Sequence, residues 1–84
     1  MQAFTLSAHA EVAIVSRSIP IEWVERVVSD PDKKERDMDD PNLTHALKRI
    51  PEHEDRVLRD VYNESANPIR IVTAYFDRTM RNKL

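Results

Sequence analysis

Five side chains in the second half of the chain carry chemistry that residue type alone announces: His45, Arg49, Arg59, Arg70 and Arg78. A guanidinium stays charged at any working pH, and its planar fork of donors matches the oxygens of a phosphate. An imidazole moves protons near neutrality, which a guanidinium cannot do. If the segments holding these residues are strands, alternation gathers all five on one face beside Val57, Val61, Val72, Ala74 and Phe76. Ile50, Leu58, Tyr62, Ile69, Ile71, Thr73 and Tyr75 then fall on the other face. The first set reads as an open basic surface with an apolar floor, and the second as the side that helices cover. The ordinary alternative for the arginines is cross-strand pairing with Asp or Glu, which contributes little energy.

The elements that must position these residues follow from local pattern. Ser7 is an N-cap for a first helix from about Ala8 to Arg17, with Ala10, Ala13 and Ile14 on its buried side together with Arg17. Pro20 suits the first turn of a second helix whose apolar face is Ile21, Val24, Val27 and Val28, joined by Trp23, and Asp30-Pro31 ends it. The run from Asp30 to Asp40 is almost wholly charged and reads as a solvated loop. Thr44–Ile50, Arg56–Tyr62 and Ile69–Phe76 read as three antiparallel strands, linked by the polar connections Pro51–Asp55 and Asn63–Pro68. Asp60 falls between Leu58 and Tyr62 on the expected core face, where an unpaired carboxylate is costly. It requires Arg56 or Lys48 across the strands, or a different register.

Composition removes many function classes. The 84 residues suit one domain spanning 1–84, and no apolar run approaches the roughly 20 residues that cross a bilayer. No membrane association is expected, and with no leader pattern and no cysteine a cytoplasmic location follows. Glycine is absent, which removes phosphate-cradling loops, dinucleotide fingerprints and glycine helix caps. The three histidines, at 9, 45 and 53, lack metal-ligand spacing, so no metal and no cofactor are expected. His9 reads as a hydrogen-bonding helix residue and His53 as a solvated loop residue. No Ser-His-Asp order or paired-carboxylate motif stands out. The formal net charge is −2, but residues 1–43 carry five Lys/Arg against nine Asp/Glu and residues 44–84 carry eight against six. The basic character belongs to the strands.

Phe4-Thr-Leu-Ser-Ala-His-Ala10, Arg17-Ser-Ile-Pro20, Trp23-Val, Asp30-Pro31, Arg56-Val-Leu-Arg59 and Ile71-Val-Thr-Ala-Tyr-Phe-Asp-Arg78 together resemble the domain of unknown function 4258 family. That family is thought to be related to the RelE-like and BrnT-like toxins, small α+β ribonucleases of toxin–antitoxin pairs. The resemblance implies two N-terminal helices packed on a small antiparallel sheet of three main strands. It also implies metal-independent cleavage of RNA, in which the 2′-OH attacks phosphorus and basic residues stabilise the pentacovalent state. Face geometry and the resemblance make Arg59 and Arg70 the phosphate contacts, His45 the proton donor or acceptor, and Arg49 and Arg78 supporting substrate contacts. The partners so implied are an RNA substrate and an antitoxin protein. A competing expectation is a non-catalytic interaction module or inactive homologue, in which the same basic face binds an acidic partner or a second copy of the chain.

Overall fold

A computed structural model describes residues 3–84. Its elements are β1 (Phe4–Leu6), α1 (Ala8–Ser16), α2 (Ile21–Ser29), β2 (Lys33–Arg36), β3 (Leu43–Ile50), β4 (Arg56–Asn63) and β5 (Ile69–Phe76), with short 3-10 turns at Pro51–His53 and Arg78–Met80. The fold is α+β, but the sheet has five strands rather than three, in the order β1-β5-β4-β3-β2. The three expected strands form its antiparallel centre, with β3 on β4 and β4 on β5.

Both extra strands lie in segments whose pattern hides them. β1 pairs in parallel with β5, setting Phe4, Thr5 and Leu6 against Ile69, Arg70 and Ile71, and three residues are too few to show a period. β2 lies inside the charged run expected as a loop, where Lys33, Lys34, Glu35 and Arg36 pair with Leu47, Ala46, His45 and Thr44. An exposed edge strand has no need of apolar alternation, and its lysines discourage further strand addition.

The helices form as their caps dictate. Ser7 Oγ accepts the Ala10 N–H at 3.0 Å, as expected for an N-cap. Without glycine, α1 still ends in a Schellman motif: the Ile19 N–H donates to the Ile14 carbonyl and the Ser18 N–H to that of Val15. Ser18 takes the left-handed conformation there, with φ of 54°. Pro20 stands at the N-cap of α2, one position before the first-turn place expected for it.

Both helices pack on one face of the sheet. Ala10, Ile14, Ile19, Val24, Val27 and Val28 meet Ala46, Ile50, Leu58, Tyr62, Ile71 and Ala74 in one buried cluster. Full burial of a residue such as Ile50 or Leu58 contributes about 1.5–3 kcal/mol. Arg17, expected on the buried side, is exposed, and its guanidinium donates to the Ala74 carbonyl at 3.1 Å.

The facing of β3 and β4 follows the expected alternation, but that of β5 changes partway. The register steps from Val61 opposite Thr73 to Tyr62 opposite Ile71, which leaves Val72 as a bulge residue. Its carbonyl accepts the Ser7 hydroxyl at 3.3 Å. Ile69 and Ile71 therefore face the helices and Arg70 faces away, as expected. Beyond the bulge the expected faces are reversed: Thr73 and Tyr75 pair with the open-face residues Val61 and Arg59, while Ala74 and Phe76 lie on the helix side.

Asp60 does face the core, fully buried between Ala46 and Ala74 on the neighbouring strands. Neither expected partner reaches it. Lys48 lies 3.5 Å from both Asp30 and Asp32, Arg56 lies 3.4 Å from Glu54, and both carboxyl oxygens of Asp60 lack a hydrogen bond. Burial alone pushes this carboxyl well above its ordinary value of 3.8.

Candidate functional site

Strand pairing sets the centre of the open face. Glu35 lies opposite His45 across β2 and β3, and Arg59 lies opposite Leu47 on one side and Tyr75 on the other. The Arg59 guanidinium donates through Nη1 to Glu35 Oε1 at 2.8 Å and to His45 Nδ1 at 2.7 Å. Its Nε donates to Asp77 Oδ2 at 2.9 Å, and its Nη2 lies 2.8 Å from the same oxygen. Because a guanidinium can only donate, His45 Nδ1 accepts, and Nε2 is left as the donor to Asp37 Oδ1 at 2.6 Å. The bonding thus selects a neutral imidazole with its proton on Nε2.

Each charge in this cluster is stabilised by its neighbours. Desolvation opposes the charge on Arg59, but its bonds to Glu35 and Asp77 outweigh that and raise its pKa. The Arg59 bond holds the Glu35 carboxyl below its ordinary range against a smaller desolvation effect. The His45 bond and the N–H groups of Asp40 and Asp39 do the same for Asp37. Desolvation is the largest influence on Asp77 and pushes it up, yet bonds from Thr79 and Arg59 together bring it below its ordinary range. Two carboxylates bind the guanidinium and a third binds His45, so the cluster is net negative, and every nitrogen of Arg59 has a partner. A phosphate approaching it must displace Glu35 or Asp77.

The structure brings His45 and Arg59 together but separates them from the other candidates. Arg70 lies opposite Asn63, four residues along β4 from Arg59, or about 13 Å at the rise of a strand. It is exposed, beside Thr5 on β1. Arg49 donates to the backbone oxygen of Leu84, so the chain after β5 returns over this face. Of the expected apolar floor, Val57 is 1% and Val61 6% exposed, so the floor is covered. Arg78 lies beyond β5 at the first position of the 3-10 turn.

Arg78 instead belongs to a cleft at the rim of the sheet, where β4 begins and β5 ends. This cavity of about 520 Å³ is lined by Arg56, Val57, Phe76, Asp77, Arg78 and Arg81. Asp77 builds its far wall. The Asp77 N–H donates to the Val57 carbonyl at 2.8 Å, and its Oδ1 accepts the N–H and hydroxyl of Thr79 at 2.9 and 2.6 Å. The turn so capped projects Arg78 and Arg81. Among the described residues neither has a side-chain partner, and both are exposed. Arg56 has only a solvent-exposed contact with Glu54 at 3.4 Å. Arg78 and Arg81 can hold an anion without first losing a carboxylate, and Arg56 beside them has only this exposed contact to give up.

Sequence reasoning missed Arg56 and Arg81 as members of a site, Glu35 and Asp77 as partners of Arg59, and Asp37 as the partner of His45. The Asp77-x-Thr79 spacing is a capping signal that marks the turn and its two arginines. No comparable signal picks Glu35 and Asp37 out of the charged run. Among the described residues no group of three His, Cys, Asp or Glu is placed to hold a metal ion, and no helix is long and apolar enough to cross a membrane.

The chain matches a family model described as Domain of unknown function (DUF4258) over residues 6–76. No curated protein and no solved structure matches.

Proposed function

We propose, for a chain that belongs to the DUF4258 family, that it is a toxin-like, metal-independent endoribonuclease whose phosphate contacts lie at the rim of the sheet. The observation that carries this reading is the cleft lined by Arg56, Arg78 and Arg81, with Arg78 and Arg81 free of carboxylate partners among the described residues. The strength of RNA binding comes chiefly from phosphate contacts, and unpaired arginines supply them without the cost of breaking an ion pair. In this reading Arg59 is a positioning residue, since it holds Asp77 and Asp77 caps the turn that carries Arg78 and Arg81. His45 supports Arg59 from the other side. Arg49 and Arg70 add positive charge along the path of a strand. Over the cleft the 2′-OH would attack phosphorus to give a 2′,3′-cyclic phosphate as the P–O5′ bond breaks, its proton passing to water and the departing 5′-oxygen taking one from water. An antitoxin partner would act by covering the cleft.

A second reading, the non-catalytic interaction module or inactive homologue, is favoured by how far the fold has engaged Arg59 and His45. Both ring nitrogens of His45 are bonded, and each nitrogen of Arg59 already has a carboxylate or imidazole partner. Purified protein incubated with end-labelled RNA in the presence of a chelator separates the two. Fragments produced by the wild type and lost in Arg78→Ala/Arg81→Ala support the endoribonuclease. Intact RNA, with binding that still weakens as salt rises, supports the module.

A further inference from the structure

The cleft has a second wall that phosphate binding does not require. Phe76 lines it, and the Phe76 ring lies 4.6 Å from that of His53 and 6.3 Å from that of Trp23, edge-on to the latter. His53 and Trp23 are themselves 5.8 Å apart, so three rings from β5, the 3-10 turn and α2 form one aromatic group. Arg26 fixes this group from the side, donating to both carboxyl oxygens of Glu52 at 2.9 and 2.7 Å and so tying α2 to the residue next to His53. Phe76 and Trp23 are only partly buried against the core.

We infer that the cleft is a nucleotide subsite, in which Arg56, Arg78 and Arg81 hold the phosphate of one unit of an RNA strand and its base packs against Phe76. The size fits, since about 520 Å³ lies within the ordinary range of small-ligand sites. The chemistry fits as well: a fork of guanidinium donors suits a phosphate, and every base has a π-face that an aromatic ring accepts without regard to sequence. Val57, itself almost wholly buried, lies at the back of the cleft. Asp77 lines the cleft too, but Arg59 and Thr79 already hold its carboxylate, which limits its repulsion of an incoming anion. This inference rests on the RNA-directed reading above and adds to it a base-recognising position.

The test is titration of the isotope-labelled protein with adenosine 5′-monophosphate, ribose 5-phosphate and a six-nucleotide oligoadenylate, following the Trp23 indole N–H and the arginine Nε–H signals by NMR. The nucleotide is expected to bind at least about fivefold more tightly than ribose 5-phosphate, the low end for a base on an aromatic ring, and to move the Trp23 signal. The oligonucleotide is expected to bind more tightly still. Arg78→Ala/Arg81→Ala, which changes exposed residues only, is expected to lose binding of all three while keeping the wild-type amide spectrum. Equal affinity for the nucleotide and ribose 5-phosphate, or binding untouched by the double substitution, overturns the subsite. Equal affinity for mononucleotide and oligonucleotide overturns its assignment to an RNA strand. Nucleotide binding without any RNA cleavage leaves the subsite standing and removes only the endoribonuclease.

Discussion

Arg59 and the pair Arg78/Arg81 lie a few residues apart in space and are opposites in chemistry. Arg59 is 8% exposed, its donors go to two carboxylates and an imidazole, and the charge around it is net negative. Arg78 and Arg81 are exposed beside an apolar wall, with no carboxylate partner among the described residues. Residue type therefore does not decide which arginine meets a ligand. What decides it is whether the guanidinium has already been neutralised by the fold. Asp77 joins the two regions, because one of its oxygens takes Arg59 and the other caps the turn carrying the rim arginines.

The sharpest way to break this contrast is Arg59→Met, which leaves Glu35 and Asp77 facing each other without their cation. Removing one member of a buried ion pair costs about 3–5 kcal/mol, and the lower end applies here because Glu35 is partly solvated. Chemical denaturation is expected to read a loss of about 3 kcal/mol. A loss below about 0.5 kcal/mol, the level of an ordinary surface change, contradicts the structural role given to Arg59.

Asp60 sharpens the same contrast within a single strand. Next to the fully partnered Arg59, it is buried with no partner on the opposite face. Asp60→Val, between Ala46 and Ala74, is expected to stabilise the fold by about 2 kcal/mol near neutral pH. The pH dependence has a defined sign. The unfolded chain releases the Asp60 proton near 3.8 while the native state keeps it to higher pH, so stability contributed by the protonated form falls as pH rises above about 4. Glu35 and Asp77 act in the opposite sense: their depressed pKa values support the fold above the ordinary carboxylate range and cease to do so as pH falls through it. Unfolding measured from pH 3 to 8 should show both limbs in the wild type. Asp60→Val should lose only the alkaline decline, and Arg59→Met should weaken only the acid limb; an unchanged alkaline decline in Asp60→Val contradicts the burial of an unpaired carboxyl.

The smallest stability effect is expected at the rim. Arg78→Ala/Arg81→Ala should change unfolding free energy by no more than about 0.5 kcal/mol, since exposed side chains without partners support nothing in the fold. A larger loss would place these arginines with Arg59 and erase the contrast.

The sequence makes legible those parts of the fold that follow local rules. Ser7 announces α1, the β-branched runs announce the three central strands, and alternation sets Leu58 and Tyr62 apart from Arg59 correctly. What it hides depends on long-range pairing. β2 is a strand only because β3 lies beside it, and without β2 there is no Glu35 to neutralise Arg59. The bulge at Val72, tied to the Ser7 hydroxyl from 65 residues away, reverses Thr73, Ala74, Tyr75 and Phe76 relative to simple alternation. That reversal takes Phe76 off the basic face and brings it toward Trp23 and His53. Among the candidate residues, alternation puts His45 and Arg59 on one face, where they hydrogen-bond, but nothing local to either shows that the fold has already engaged it.

The salt dependence of RNA binding tests most directly whether the rim arginines, and not the interior one, meet phosphate. With log affinity plotted against log salt, Arg78→Ala/Arg81→Ala should flatten the slope by about two, one for each lost phosphate contact, and leave the amide spectrum unchanged. A double variant that keeps the wild-type slope would contradict the account.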